Sequence, residues 1–187
     1  MNDTHTKFEL DDGIELLDGT RFNYATCDVE NIEIEQIAHV LSQVNRFAGH
    51  TLFPYSVAQH SLNASFIVAP EFAFDALMHD TAEMVTNDIV TPLKVRVPLF
   101  KEIELKIEAN MARKFGFSFP LPKEVKLADL QMLAIEKEAL KPTNSKWSIL
   151  DGIEYKHLIP HCDLTERRSR DVAKEWMVRF RELGGQG

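Results

Sequence analysis

Two cysteines in 187 residues, Cys27 and Cys162, are too few and too far apart for a disulfide framework or a zinc knuckle. A reduced, cytoplasmic setting is the default for such a chain. No apolar run approaches the roughly 20 residues that a membrane span needs. The opening stretch, Met1 to Asp12, is polar and acidic, so it does not read as a signal peptide. Positive charge is also scarce: 21 Lys and Arg face 29 Asp and Glu, a formal net charge of −8. Long nucleic acid is thereby excluded as the main partner, because its binding needs many phosphates neutralised at once. A small phosphorylated ligand is not excluded, since a metal and two or three local cations suffice for it. Internal repeats and low-complexity linkers are absent too. What remains is one domain over residues 1–187, with 44% hydrophobic and 27% charged residues.

The patterning predicts an all-α, compact bundle of about six main helices behind a short N-terminal β-hairpin. The hairpin is expected over residues 8–24, with turn signals at Asp12-Gly13 and Asp18-Gly19. Ile34, Ile37, Ala38, Leu41 and Val44 recur at helical spacing and predict a first helix over 33–45. Ser56 is the expected cap of a second, carrying Val57, His60, Ala64 and Ile67. Pro70 opens a third through Leu77 and Met78 to about Met84. Pro98 opens a fourth that Gly116 closes, and Pro122 a fifth that ends near Pro142. Thr165 is the expected cap of a sixth, over about 165–183, carrying Val172, Trp176 and Phe180 and stopped by Gly184-Gly185.

Against this helical background a few polar residues fall where apolar ones are expected. His79 and Asp80 are adjacent inside the third helix and so point about 100° apart. Both reach one metal only if it lies at the helix surface between them. Glu83 follows one turn on, on the same face. Asp88 stands just past the helix end, before Thr91-Pro92-Leu93-Lys94. His60 is mid-helix in the second helix, and Asp129 is mid-helix among apolar neighbours in the fifth. Two imidazoles and two carboxylates give mixed nitrogen and oxygen ligation, which suits Zn, Mn, Fe, Co or Ni better than Ca. Taken singly, each has a plainer reading: a hydrogen-bonded core His, a solvated Asp, an exposed Glu, a turn Asp.

In combination these residues resemble the HD superfamily of metal-dependent phosphohydrolases, over roughly residues 33–140. The order is His60, then His79-Asp80, then Asp129. His79-Asp80-Thr81-Ala82-Glu83, Asp88 and Thr91-Pro92-Leu93-Lys94 are similar to the corresponding segment of the bacterial 5′-deoxynucleotidases. Val125-Lys126-Leu127-Ala128-Asp129-Leu130 resembles their last ligand motif, and Asn45-Arg46-Phe47 resembles the Asn-Arg-Trp segment before their first ligand. Phe47 stands where those enzymes carry Trp, and the interval from His60 to His79 is shorter than theirs. Residues 37–61 are closer to a phage and bacterial branch that includes dATP triphosphohydrolases of phages using 2-aminoadenine.

The resemblance implies a metal held by His60, His79, Asp80 and Asp129, with Zn, Mn or Co as the metal. A second ion such as Mg at the phosphates is a further option. It implies hydrolysis of the 5′ ester of a deoxynucleotide, with water attacking the α-phosphorus. Glu83 is then the candidate general acid or base, and Asp88 the residue that orients it or the water. Arg46 and Lys94 are the candidate phosphate partners. Phe47 is a candidate for stacking on substrate, with core packing as its plainer role, and His50 is a candidate phosphate contact. Arg96 is expected to solvate a loop and His39 to be structural, while His5, His157 and His161 look incidental. Two products stay open: deoxynucleoside plus triphosphate from a dNTP, dATP being the preferred guess, or deoxynucleoside plus phosphate from a dNMP. A phosphodiesterase of cyclic or signalling nucleotides and a silent helical binding module are the remaining alternatives. A homo-oligomer is expected on family grounds.

Overall fold

A computed structural model describes residues 12–141 and 143–186. Residues 8–11 of the expected hairpin, His5, and the helix stop at Pro142 lie outside the described residues. The chain is mostly helical. Strands β1 (Gly13–Glu15) and β2 (Arg21–Asn23) form an antiparallel hairpin with Ile14 opposite Phe22. Its turn is at Asp18-Gly19, where Gly19 takes φ +83° and the Asp18 carboxylate accepts from the backbone N–H and hydroxyl of Thr20. Asp12-Gly13, expected as a turn, instead leads into β1. Gly13 is needed there because a Cβ would collide with the Phe22 carbonyl.

Helix α1 (Ile34–Leu41) buries Ile34, Ile37, Ala38 and Leu41, and Glu33 and Gln36 close a reciprocal capping box at its start. It ends at Leu41, short of the expected boundary at Asn45. The cause is an antiparallel bridge between Asn45 and Ser56, which requires extended backbone at Asn45. Helix α2 (Val57–Ile67) starts as expected, with the Ser56 hydroxyl accepting from the Gln59 N–H. It is the central element: residues 57–65 are all buried, and it packs against α1 and against later helices of the chain. Its polar residues are therefore internal, and they are paired. Gln59 and Asn63 hold the loop at Asp163, while Ser61 accepts from the Trp176 indole.

The third predicted helix is broken. Residues Pro70–Phe72 form a tight turn, α3 spans Ala73–Met78, and α4 spans Glu83–Thr86. Between them the bonding tightens to three-residue spacing, from Thr81 N to Met78 O and from Glu83 N to Asp80 O. His79 and Asp80 thus sit on a tightened turn rather than in mid-helix. A short α5 (Thr91–Lys94) follows in a stretch whose pattern predicts only a loop. The long pair behaves as expected: α6 (Pro98–Phe115) is closed by left-handed Gly116, and α7 (Lys123–Leu140) begins after Pro122. Helix α8 (Ser169–Glu182) starts later than expected, because Thr165 is engaged by the Asp163 carboxylate in the preceding loop. Its stripe Val172, Trp176 and Phe180 is fully buried against the core. Burial of one such large apolar side chain contributes about 1.5–3 kcal/mol.

Candidate metal centre

His60 comes from buried α2, His79 and Asp80 from the tight turn after α3, and Asp129 from α7. The packing of α2 on both α3 and α7 brings them together. His60, His79 and Asp129 each present a donor atom, all within 4.8 Å of one another. His60 Nε2 lies 3.3 Å from His79 Nε2 and 3.1 Å from Asp129 Oδ1. Asp80 Oδ2 lies 3.1 Å from His79 Nε2 and 3.6 Å from His60 Nε2. Among the described residues that buried oxygen has no hydrogen-bond donor of its own.

The tautomers follow from the partners on the far side of each ring. His79 Nδ1 is 2.8 Å from the Ala76 carbonyl, which only accepts. His60 Nδ1 is 2.6 Å from Glu136 Oε1, and an ionised carboxylate also only accepts. Each Nδ1 therefore carries the proton in the neutral ring, and both Nε2 lone pairs face the same point. Two lone pairs and two carboxylates converging there repel unless a cation lies among them. The donor set fits a divalent transition metal.

Charge distribution agrees. Burial pushes His79 down, yet Asp80 and Asp129 raise it well above its ordinary value. Burial and Arg46 lower His60, and Glu136 with Asp129 outweigh them. Burial raises Asp80, but the adjacent His79 ring brings it to about 2. Burial raises Asp129 too, and the neighbouring His60 and His79 rings hold it well below its usual value. The field that favours a proton on these rings also favours a metal cation.

Beside this cluster lies a cavity of about 790 Å³, bordered by Arg46, Glu83, Asp88, Lys94 and Asp129 among others. Glu83 is buried, with Oε2 unpartnered among the described residues. Burial, followed by the charges of Asp80 and Asp88, raises it well above its ordinary value. Asp88 accepts from the Phe47 backbone N–H at 3.2 Å. That bond ties together two segments with positive-φ backbones, Phe47–Ala48 and Asn87. Lys94 is not a free cation: Nζ lies 2.6 Å from Glu104 and 3.6 Å from Glu83. Arg46 is buried and shared between Glu136 at 3.1 Å and Asp80 at 3.7 Å. Phe47 is half-buried and faces the cavity instead of the core, and exposed His50 stands at its edge. His39, Arg96, His157 and His161 are exposed, and none of them borders this cavity.

Sequence reasoning missed Glu136, Trp147, Lys141 and Lys146. Glu136 had a signal, since it stands seven residues after Asp129 on the same face of α7, among buried Met132, Ile135 and Leu140. Trp147 sits 6.1 Å from Phe47, ring to ring, in a segment with no periodicity to mark it.

The fold and cluster define a small helical protein with a buried histidine–carboxylate site open to a cavity. No model of a known protein family matches the sequence. The chain is 43% identical over 141 residues to the uncharacterized protein YfdR of Escherichia coli (strain K12), covering 75% of this chain and 79% of that protein. It is 32% identical over 139 residues to the uncharacterized protein RCAP_rcc00048 of Rhodobacter capsulatus, covering 67% and 71%. The chain belongs to the YfdR family. Among the described residues no helix is long and apolar enough to cross a membrane.

Proposed function

We propose that this chain is a metal-dependent phosphohydrolase of the HD type, cleaving the 5′ phosphate ester of 2′-deoxynucleotides. The preferred substrate class is dNTPs, dATP first, giving deoxynucleoside and triphosphate. The observation that carries the reading is the convergence of the His60 and His79 Nε2 atoms with the Asp129 carboxylate, with Asp80 beside the two rings, next to a cavity bordered by cations. When bound, a divalent transition metal such as Zn, Mn or Co supplies Lewis acidity toward water and a phosphate oxygen. A second ion such as Mg at the phosphates is compatible with the Asp88 carboxylate on the cavity wall.

The side chains divide the remaining work. Arg46, locked by Glu136, presents a fixed guanidinium to phosphate. Water attacks the α-phosphorus, the bond from phosphorus to the 5′ oxygen breaks, and protonated Glu83 gives that oxygen its proton. The proton surrendered by water restores Glu83. Asp88 holds the Phe47 loop, and its charge, after burial and Asp80, favours the protonated form of Glu83. Phe47 and Trp147 offer aromatic faces for the nucleoside. Lys141 and Lys146 border the same cavity, and this favours a substrate with more than one phosphate over the 5′-deoxynucleotidase reading. The free cysteines support a cytoplasmic setting, and the exposed apolar run Val90, Leu93, Val95 and Val97 supports self-association.

The test is a panel of dNTPs, NTPs and dNMPs with Zn, Mn and Co, read by product identity. Free triphosphate from dATP is the expected result. Phosphate from dNMPs alone transfers the protein to the nucleotidase reading. A chain that retains no metal and hydrolyses nothing leaves the binding-module alternative.

A further inference from the structure

We propose that Glu136 is a positioning residue that fixes which nitrogen of His60 faces the metal site and couples that ligand to Arg46. The inference rests on the metal-site reading above. Glu136 is fully buried on α7, where an unpaired carboxylate is costly. Both of its oxygens are used: Oε1 is 2.6 Å from His60 Nδ1, and Oε2 is 3.1 Å from Arg46 Nε. Glu136 thus joins a ligand of the cluster to the guanidinium that reaches Asp80. A role in stability alone does not account for this choice of residues, because a buried ion pair is on balance no more stabilising than apolar side chains of similar volume.

The chemistry of the contact requires two acceptors at once. A Gln at this position has one. With its carbonyl toward Arg46, its NH₂ meets His60 Nδ1, which must then accept, and the ring proton moves to Nε2, where it blocks the metal lone pair. With its carbonyl toward His60, the NH₂ abuts the Arg46 N–H and expels the guanidinium from its seat. Either way one end of the relay fails.

The experiment titrates Zn²⁺ and Co²⁺ into the full-length wild type and Glu136→Gln, with the visible spectrum of the Co²⁺ forms recorded. Zn²⁺ affinity is expected to fall about 10- to 100-fold in the variant, with a changed Co²⁺ spectrum. Long-range proton–nitrogen NMR of histidine-labelled, Zn²⁺-loaded wild type provides a readout that does not depend on the variant folding. It should show His60 protonated at Nδ1 and liganded through Nε2. Equal Zn²⁺ affinity and an identical Co²⁺ spectrum in the variant overturn the role of Glu136 while leaving the metal site standing. Ligation through Nδ1 of His60 does the same. A wild type that takes up neither ion removes the metal site, and this inference with it.

Discussion

On the α2–α7 side of the cavity Asp129 is held ionised, far below the ordinary carboxylate range, while across it on α4 Glu83 is pushed well above that range. Both start from the same penalty, since burial raises each of them. What differs is the company. Asp129 lies beside two imidazoles, whereas Glu83 faces Asp80 and Asp88. The acidic side extends into α6, where burial and Glu104 raise Glu108 to about 7. On the function proposed above, one wall holds a cation with ionised oxygens and the other supplies a proton. Carboxyls driven apart in this way are the mark of divided acid and ligand roles.

The largest expected break comes on the cation wall. His79→Ala removes the ring whose Nε2 faces His60, so metal retention measured by elemental analysis should fall to background, and phosphohydrolase turnover with it. On the proton wall, Glu83→Gln should lower kcat by roughly 10²- to 10⁴-fold with metal content intact. Undiminished turnover in a fully metallated Glu83→Gln protein would remove Glu83 from the chemistry. Smaller again is the aromatic rim: Trp147→Ala should raise KM for a dNTP about 10-fold and spare kcat, the size of one lost stacking contact.

The smallest effect concerns stability and has a definite sign. Between the ordinary 4.5 and about 7, folded Glu108 retains a proton that the unfolded chain has released. Stability therefore falls as pH rises through that window. Glu108→Gln abolishes the fall. Thermal melts should show the variant gaining on wild type between about pH 5 and pH 8, by on the order of 2 kcal/mol, less than full conversion of the shift because the carboxyl is part-exposed. A gap that does not change with pH contradicts the raised Glu108.

Helices α2, α6 and α7 are legible because their signals are local: the Ser56 cap, Pro98 with Gly116, and Pro122 ahead of a periodic run. The third predicted helix fails because its apolar spacing runs unbroken across a turn that tertiary contacts tighten. The end of α1 is hidden for the same reason, since the bridge that stops it pairs Asn45 with the distant Ser56. Thr165 fails as a cap because Asp163, itself fixed by Asn63, engages its hydroxyl first.

A helical chain can be read from residue order alone, because helix periodicity makes a buried face visible, whereas His60, His79, Asp80 and Asp129 stand out only as a set, through their order and its resemblance to the HD superfamily. Glu83, one turn beyond the pair, is marked in the same way. The convergence of these side chains belongs to the tertiary structure, as do the opposite pKa shifts of Asp129 and Glu83. Folding in three dimensions also gives Glu136 its two partners and shares Lys94 between two carboxylates. The reason is that acidity and hydrogen-bond pairing are properties of neighbours in space. Arg46 and Glu136, for example, are 90 positions apart in the chain.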